Sequence, residues 1–437
     1  MANITLNPVN SRVNAELNLP GSKSIANRVL LLAALSNGTN IIANVPDVSE
    51  DVQLMVAALL KLGVDIERVS SENNSSATYR IIGCDGKFPV KQAEIFCGNS
   101  GTTIRFLCAA LAVMDGDYVL TGIERMKERP ILDLVDALRQ VGAVIDYEEK
   151  EGFPPLRIRK FVYNGTNKIT ISGETSSQYI TALLMALPLL NKDLIVEIKD
   201  ELISKPYVDI TLNLLKLFGC VITSISNKQF IIDNKINLHA INYTVEPDAS
   251  SASYFLAFGA LNGCITIKNL SKDSFQGDKN FASVLAQMGA KVEYLSNRIK
   301  VSKGNLTGIT VNMEDMPDVA MTIATIALFA KGTTTINGIQ SWKVKETDRL
   351  EAMYKELSKF GADVTTTDDS ITIKQPNIIK SNICVDTYND HRIAMCFSLI
   401  AAGGHAVTIN NYECVGKTFA NYFDLFINLQ KLHEIKL

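Results

Sequence analysis

The stretch SKSIANRVLLLAALSNG, at residues 22–38, decides how the chain folds. It opens on polar residues, continues as small and branched apolar residues, and stops at a glycine. A helix that is apolar on nearly every side is typical of a protein interior. The pattern recurs five times, as SGTTIRFLCAALAVMDG (100–116), SSQYITALLMALPLLNK (176–192), DASSASYFLAFGALNG (248–263), DVAMTIATIALFAKG (318–332) and DHRIAMCFSLIAAGG (390–404). Successive copies end 69 to 78 residues apart, which predicts six related structural units.

A second helix pattern alternates with the first and ends in a glycine before a strand-like segment. The copies are KLGVDI, QVGAVI, LFGCVI, QMGAKV and KFGADV, with the glycines at Gly63, Gly142, Gly219, Gly289 and Gly361. Glycine at this place suits the left-handed conformation that ends many helices. The copy DRLEAMYKELSKFG, residues 348–361, has one apolar and one charged face, so we expect these helices to face solvent. The sixth copy, near residues 419–435, lacks the glycine.

Each unit is therefore interpreted as strand, helix, strand, helix and one or more strands. We predict an α/β fold with buried helices inside and with sheets and amphipathic helices outside. Six units that cannot each bury a core favour two domains of three units. A six-unit solenoid is the alternative, but solenoid repeats usually run about 20–45 residues. Residues 241–251, INYTVEPDASS, are a plausible crossover between the two groups, and the segment before the Pro20–Gly21 break is a candidate for a second.

The composition excludes several classes of protein. A net charge of −3 argues against a nucleic-acid partner, and 47% hydrophobic residues argue against overall disorder. No apolar run reaches the roughly 18 residues of a membrane helix, and MANITLNPVN lacks the pattern of a signal peptide. The eight cysteines form no CxxC pair, so we expect buried, reduced thiols and a cytoplasmic protein.

Polar residues crowd the starts of the apolar helices and the neighbouring turns. At the helix starts they include Ser22, Lys23, Ser24, Arg28, Asn99, Ser100, Gly101, Arg105, Ser176, Ser177, Gln178, Asp248, Ser250, Ser251, Asp318, Asp390, His391 and Arg392. At the turns they are Arg125, Lys127, Arg129, Lys343, Lys345, Arg349 and Lys417. Ordinary N-caps and solvated charged faces are the alternative interpretations. Six polar helix starts together with these cations favour a cleft at the domain junction that binds a multiply anionic ligand.

Three familiar phosphate or metal motifs are absent. Gly416-Lys417-Thr418 resembles the end of a P-loop, but Asn411 stands where that motif needs glycine, and no GxGxxG follows a strand. No Cys/His cluster has the spacing of a zinc site, so we expect no metal.

Ten motifs in order carry a family resemblance. They are LPGSKSIANR (19–28), GNSGTTIR (98–105), RMKERPI (125–131), SSQYITALLMALPL (176–189), SKPYVDITLNLL (204–215), DASSASYFLA (248–257), PDVAMTIAT (317–325), VKETDRL (344–350), YNDHRIAMCFSL (388–399) and KTF (417–419). The set resembles the 5-enolpyruvylshikimate-3-phosphate synthase family, in its bacterial, glyphosate-sensitive type.

The resemblance implies two domains of three βαβαββ units each, one of them discontinuous at 1–20 plus 247–437 and the other at 21–246. Hinge crossovers are expected near 20–21 and 243–248. It also implies transfer of the enolpyruvyl group of phosphoenolpyruvate to the 5-hydroxyl of shikimate 3-phosphate, with release of phosphate. The reaction belongs to the shikimate pathway and proceeds by addition and elimination through a tetrahedral intermediate. No cofactor, no membrane and a monomer are expected.

The resemblance also assigns residues to roles. Asp318 is implied as the base for the hydroxyl proton and Glu346 as the acid for the methylene carbon, with Lys23 as the alternative acid. The residues implied for shikimate 3-phosphate are Lys23, Ser24, Arg28, Ser176, Ser177, Gln178, Ser204, Tyr207, Asp318, Ser341 and Lys345. Those implied for phosphoenolpyruvate are Lys23, Asn99, Gly101, Arg129, Gln178, Arg349, His391, Arg392 and Lys417. Inhibition by glyphosate is expected because Gly101 leaves that pocket open.

Three positions depart from the commonest bacterial pattern: Phe106 and Pro247 replace a proline and a glycine, and Ser341 replaces an asparagine that often contacts shikimate 3-phosphate. The nearest rival is the family that transfers enolpyruvate to UDP-N-acetylglucosamine. It usually carries a cysteine acid, and residues 116–130 contain none. A six-repeat anion-binding scaffold, whose polar helix starts are only caps, is the non-enzymatic alternative.

Overall fold

The computed structural model describes residues 2–72, 76–234 and 237–431. Contacts between Cα atoms divide the chain into two compact units, Met1–Pro20 with Glu246–Leu437 (unit 1) and Gly21–Val245 (unit 2). The sequence placed the second limit one residue later, between residues 246 and 247. The hinge expected at these crossovers stays a prediction.

The strands of the described residues are short. In chain order they are β1 (Asn3–Leu6), β2 (Asn14–Leu17), β3 (Thr39–Val45), β4 (Asp65–Glu72), β5 (Ser76–Ile82), β6 (Gln92–Phe96), β7 (Asp117–Thr121), β8 (Val144–Tyr147), β9 (Leu156–Arg159), β10 (Lys168–Ile171), β11 (Leu194–Ile198), β12 (Thr223–Ile225), β13 (Gln229–Ile232), β14 (Asn242–Thr244), β15 (Cys264–Lys268), β16 (Lys291–Leu295), β17 (Arg298–Ser302), β18 (Thr310–Asn312), β19 (Thr333–Asn337), β20 (Asp363–Thr366), β21 (Ile371–Lys374), β22 (Ile383–Val385) and β23 (Val407–Asn410).

The helices alternate between the two predicted kinds. In chain order they are α1 (Lys23–Leu35), α2 (Glu50–Lys61), α3 (Gly101–Ala112), α4 (Leu132–Arg139), α5 (Ser177–Ala186), α6 (Lys205–Leu217), α7 (Ala249–Leu261), α8 (Phe281–Gln287), α9 (Pro317–Ile326), α10 (Arg349–Lys359), α11 (His391–Ala402) and α12 (Tyr422–Lys431). Helix α12 corresponds to the helix predicted near residues 419–435, of which residues 432–435 lie outside the described part.

Five sheets share one strand arrangement. In each, two neighbouring strands run parallel, and the second of them pairs with the last strand of an antiparallel hairpin. The sheets are β14-β3-β5-β4, β6-β7-β9-β8 and β10-β11-β13-β12 in unit 2, and β2-β15-β17-β16 and β18-β19-β21-β20 in unit 1. A parallel pair needs a long crossover, and between β6 and β7, for example, helix α3 supplies it.

At the two chain crossovers, the last strand belongs to the unit of its own sheet, while the helix that follows it belongs to the other unit. Strand β2 leads into α1 of unit 2, yet it pairs in parallel with β15 of unit 1. Strand β14 leads into α7 of unit 1, yet it pairs with β3 of unit 2. The sixth sheet, β1-β23-β22, is completed by β1, which runs antiparallel to β23. The N-terminal segment thus supplies one crossover strand, as expected, and one closing strand that the sequence did not indicate.

The predicted division into buried and amphipathic helices is confirmed. Every residue of α3 and of α11 is buried. Helix α10 instead buries a stripe that includes Leu350, Met353 and Leu357 and exposes its charged face. The five predicted helix-ending glycines all have positive φ, between 87° and 107°. A Cβ on Gly142 would lie 2.0 Å from a backbone oxygen, so this residue also permits a close approach of two chain segments.

Buried hydroxyl and thiol groups align the inner helices of unit 1. Helices α7, α9 and α11 contact one another. Ser253 Oγ lies 3.0 Å from Thr322 Oγ1, which lies 3.7 Å from Cys396 Sγ. Each of the three residues is the fifth or sixth of its helix. The N-termini of these helices are therefore level with one another at one end of the unit.

Candidate active site

The polar residues at the inner helix starts separate into caps and non-caps. The side chains of Ser100, Ser176, Asp248 and Asp390 each accept a hydrogen bond from a backbone N–H in the first turn that follows. They are therefore N-caps, as the alternative interpretation proposed. Asp318 is different, because it is the second residue of α9 and its carboxylate accepts hydrogen bonds from side chains of other elements.

Asp318 is the centre of an ion-pair network in unit 1. Its Oδ1 accepts from Arg349 Nη1 at 3.0 Å and its Oδ2 from Arg392 Nη2 at 2.8 Å, while Lys345 Nζ lies 3.6 Å from Oδ1. Burial alone would raise the pKa of Asp318, but the charges of Arg392, Lys345 and Arg349 outweigh it and hold the pKa well below its usual range. The group is therefore a carboxylate at neutral pH.

Arg349 joins three carboxylates through its guanidinium. Besides Asp318, it donates from Nε to Asp390 Oδ2 at 2.8 Å and from Nη2 to Glu346 Oε2 at 2.9 Å. Its side chain is 1% exposed. Burial opposes the charged form, but the three carboxylates prevail and raise the pKa of Arg349. Nη2 also donates to Asp390 Oδ1 at 3.4 Å, so all three guanidinium nitrogens are used and a lysine could not replace this side chain.

Glu346 lies between two cations. Lys417 Nζ is 3.8 Å from its Oε1, opposite the hydrogen bond from Arg349. Lys417 ends the 3-10 turn Tyr412–Lys417, while Lys345 directly follows the turn Gln340–Val344. Burial, opposed by Asp318, lowers the pKa of Lys345. Unit 1 thus places the implied acid and base in one charged cluster.

Two polar groups of unit 1 that the resemblance implies for substrate binding have no hydrogen-bond partner among the described residues. The His391 ring, 2% exposed, is not hydrogen-bonded through either nitrogen, although Nδ1 lies 3.5 Å from Asp390 Oδ1. Burial and the charge of Arg392 hold the pKa of His391 well below its usual range, so the ring is neutral. The Oγ of Ser341 is likewise buried without a partner. Such atoms are rare in proteins and are candidates for contact with a ligand.

Asp278 is a buried acid that the sequence analysis did not identify. It is 5% exposed, accepts a hydrogen bond from Ser250 Oγ on Oδ2, and has no partner for Oδ1 within the described residues. Burial and the charge of Asp318 raise the pKa of Asp278 to about 7, against the opposing effects of Ser250 and Arg392. Its position before α8 carries no helix or strand pattern that would have singled it out.

In unit 2, the start of α3 lies against three polar side chains. A Cβ on Gly101 would be 2.9 Å from Arg129 Nη2, 3.1 Å from Arg105 Nη1 and 3.2 Å from Gln178 Oε1. Arg105 donates to Gln178 at 2.5 Å, and Arg129 Nη1 donates to the backbone and side-chain oxygens of Asn99 at 2.9 and 3.2 Å. Four of the residues implied for phosphoenolpyruvate in this unit are therefore neighbours, namely Asn99, Gly101, Arg129 and Gln178. Arg105, to which the resemblance gave no role, belongs to the same cluster.

Arg28 is committed to the protein interior. It is 1% exposed and donates to Ser24 O at 2.7 Å, to Thr211 Oγ1 at 2.9 Å and to Tyr207 O at 3.3 Å. Its guanidinium also lies 5.1 Å from the ring centre of Phe106. Burial lowers the pKa of Arg28 to about 10. In this arrangement it ties α1 to α6, and its implied contact with substrate stays a prediction.

The remaining implied residues of unit 2 also occupy helix starts. Lys23 opens α1 and pairs with Asp51, whose Oδ2 lies 2.9 Å from Nζ. Ser177 is the first residue of α5, and Ser204 precedes α6, which contacts α5. The partner Asp51 carried no signal in the sequence beyond its place at the start of α2.

Three of the cations at the turns lie on the solvated surface, as the alternative interpretation proposed. Arg125, Lys127 and Lys343 pair with exposed carboxylates at 2.7, 2.8 and 2.6 Å. They are solvated surface charges, whereas Arg129, Arg349, Arg392 and Lys417 are buried. The expectation of buried thiols holds for half of the cysteines, and Cys384 is exposed.

Within the described ranges, no group of three or more His, Cys, Asp or Glu side chains is placed to hold a metal ion. In the same part of the chain, no helix has both the length and the apolar character needed to cross a membrane.

Known proteins resemble this chain over nearly its whole length. The family profile described as EPSP synthase (3-phosphoshikimate 1-carboxyvinyltransferase) matches residues 9–426. The 3-phosphoshikimate 1-carboxyvinyltransferase of Colwellia psychrerythraea is 49% identical over 427 residues, covering 97% of this chain and 98% of that protein. The protein of the same name from a Sulfurovum species is 49% identical over 428 residues, with the same coverage of both chains.

Solved structures share the fold. EPSP synthase from Acinetobacter baumannii superposes with a TM-score of 0.81 at 24% identity and covers 98% of both chains. The enolpyruvyl transferase NikO from Streptomyces tendae superposes with a TM-score of 0.75 at 14% identity, over 98% of this chain and 97% of its own. These two likenesses concern the fold alone. The sequence profile and the relatives confirm the resemblance drawn from the ten motifs: the chain belongs to the EPSP synthase family.

Proposed function

We propose that this chain transfers the enolpyruvyl group of phosphoenolpyruvate to the 5-hydroxyl of shikimate 3-phosphate and releases phosphate. The observation that carries the proposal, beside family membership, is the cluster around Asp318. In this cluster Asp318 stays ionised and is surrounded by Arg349, Arg392 and Lys345. A second carboxylate, Glu346, is paired with Arg349. Addition to the double bond needs an acid–base pair, and the two substrates need cations for their phosphates and carboxylates.

In the addition step, the 5-oxygen bonds to C2 of phosphoenolpyruvate and gives its proton to Asp318, while C3 receives a proton from the acid. The product is a tetrahedral ketal. In the elimination step, the bond from C2 to the phosphate oxygen breaks and C3 returns a proton, which restores the double bond. The protons balance over the two steps, and no cofactor is required.

The electrostatics restrict how Asp318 acts as a base. Two guanidinium groups that donate to its oxygens make it a weak base, because they stabilise the charged form. We infer that substrate anions draw the charges of Arg349 and Arg392 away from Asp318, which raises its basicity when both substrates are bound. Glu346 is paired with Arg349 and Lys417, and Lys23 remains the alternative acid.

The binding roles proposed for the two substrates are those that the family resemblance implies. We assign shikimate 3-phosphate to Lys23, Ser24, Arg28, Ser176, Ser177, Gln178, Ser204, Tyr207, Asp318, Ser341 and Lys345. We assign phosphoenolpyruvate to Lys23, Asn99, Gly101, Arg129, Gln178, Arg349, His391, Arg392 and Lys417. The close packing of Gly101, Arg129 and Gln178 and the partnerless ring of His391 support the second assignment. Glyphosate inhibition, a cytoplasmic location and a monomeric state complete the proposal.

The test is release of inorganic phosphate from phosphoenolpyruvate, with either shikimate 3-phosphate or UDP-N-acetylglucosamine as acceptor. Release with the first acceptor alone is expected. Release with only the second would replace the proposal by the rival family's reaction, and release with neither would leave an anion-binding scaffold. In the same assay, glyphosate should compete with phosphoenolpyruvate. Full activity at millimolar inhibitor would contradict the expected sensitivity.

A further inference from the structure

The turn that precedes α11 has an unusual backbone. It leads from β22 through Tyr388 and Asn389 to Asp390 and Arg392. Tyr388 and Asn389 have φ values of 52° and 57°, so two successive residues lie in the left-handed region. Asparagine tolerates this region, but a bulky residue such as tyrosine is rarely found there. A strained conformation persists only where the surrounding structure holds it, and such places are frequent at functional sites.

A buried carboxylate on α10 holds this turn. Glu356 is fully buried, and its Oε1 accepts a hydrogen bond from the hydroxyl of Tyr388 at 2.7 Å. Its Oε2 accepts from the backbone N–H of Asp386 at 3.2 Å and lies 2.7 Å from Lys359 Nζ. The charge and burial of Glu356 are thus compensated by groups on both sides of it.

The hydroxyl, and not the packing of the ring, ties Tyr388 to the protein interior. Tyr388 is 38% exposed, so burial of apolar area holds it weakly. Burial of its hydroxyl and the bond to Glu356 raise the pKa of Tyr388, so this group remains a donor at neutral pH.

The same helix also holds the end of the turn. Arg349, the first residue of α10, donates to Asp390 Oδ2 at 2.8 Å. Glu356 lies seven residues later, which is about two helical turns and therefore the same face. Helix α10 thus contacts the turn at two places. Arg349 binds Asp390 at the end of the turn, and Glu356 binds Tyr388 and Asp386. The residue two positions beyond Asp390 is Arg392, whose guanidinium bonds Asp318.

We propose that Glu356 is a positioning residue that holds the Asp386–Asp390 turn through Tyr388 and thereby fixes the guanidinium of Arg392. It contacts neither substrate itself. The inference rests on the proposed function, because it is there that Arg392 is assigned to phosphoenolpyruvate.

The variant Tyr388→Phe tests this link, because it removes one hydroxyl and keeps the ring. A hydrogen bond to a charged group is worth enough to change an equilibrium by about tenfold. We expect KM for phosphoenolpyruvate to rise by about that factor, while KM for shikimate 3-phosphate stays within about twofold. Glu356→Gln should shift the same constant. In the double variant the two effects should not add, because both act through one hydrogen bond.

Tyr354→Phe is the matched control. Tyr354 lies on the same helix and is 40% exposed, so its variant should keep both KM values. An active wild type whose Tyr388→Phe variant keeps its KM for phosphoenolpyruvate would overturn the inference, even if the variant melts earlier. Equal rises in both KM values would also overturn it, because they indicate a general loss of structure. If Glu356→Gln does not fold, Tyr388→Phe still decides. If the wild type itself releases no phosphate, the proposed function fails instead.

Discussion

Asp278→Asn should make unit 1 less sensitive to pH. Asn has the shape of the protonated acid, and Ser250 can still donate to its oxygen. An aspartate titrates near 3.9 in an unfolded chain and at about 7 in this site. Because the folded-state pKa is the higher one, the stabilisation is fully present below about pH 3.9 and is lost as pH rises through 7. The difference of about 3 pH units corresponds to about 4 kcal/mol in total.

The free energy of unfolding should therefore fall in the wild type relative to Asp278→Asn as the pH rises. The difference in free energy of unfolding between Asp278→Asn and the wild type should grow by about 2 kcal/mol between pH 5 and 7 and become constant above pH 8. Urea unfolding followed by the fluorescence of Trp342 measures it, because this single tryptophan is fully buried in unit 1. The exposed Asp273 of the same segment supplies the control variant Asp273→Asn. A difference that is constant with pH, or one that narrows as pH rises, would refute the reasoning.

Three further predictions concern catalysis and the fold. Asp318→Asn should lower kcat by about 10²–10⁴-fold, because an amide cannot take the hydroxyl proton; near-normal turnover would remove Asp318 from the mechanism. Gly101→Ala should raise KM for phosphoenolpyruvate and weaken glyphosate inhibition, since the new Cβ would lie 2.9 Å from Arg129 Nη2; steady-state kinetics with unchanged constants would contradict this. Gly142→Ala should lower the free energy of unfolding by about 1–3 kcal/mol, because φ is 105° and the Cβ would clash with Val162 O. Urea unfolding followed by circular dichroism tests it, and a loss below about 0.5 kcal/mol would be the contrary result.

Local patterns were sufficient to predict the helices. Apolarity on all sides predicted α1, α3, α5, α7, α9 and α11, and the terminal glycines predicted where the amphipathic helices end, because both depend on neighbouring residues. The pairing of β1 with β23 was not predictable in this way. It joins residues about 400 positions apart, and a local sequence pattern does not indicate which distant strand will be the partner.

The candidate site likewise contains residues that the sequence could indicate and residues that only the structure identifies. The local pattern did not distinguish Asp318 from the caps, although the family resemblance implied it as the base. In the structure its oxygens accept hydrogen bonds from the side chains of Arg349 and Arg392. Asp278 and Glu356 carried no signal, since each lies far along the chain from the groups that it affects. Motif resemblance names residues that are expected to contact substrate, whereas a positioning residue is recognised by its three-dimensional neighbours.

The long-range strand pairings also set an order of events during synthesis of the chain. Unit 2 has all its strands once β14 has left the ribosome. Strands β1 and β2 are made first, yet their partners β23 and β15 are made much later. At about 5–20 residues per second, β1 waits roughly 20–80 s for β23. Unit 2 should therefore fold co-translationally, while β1 and β2 remain unpaired strand edges until β23 and β15 have been made.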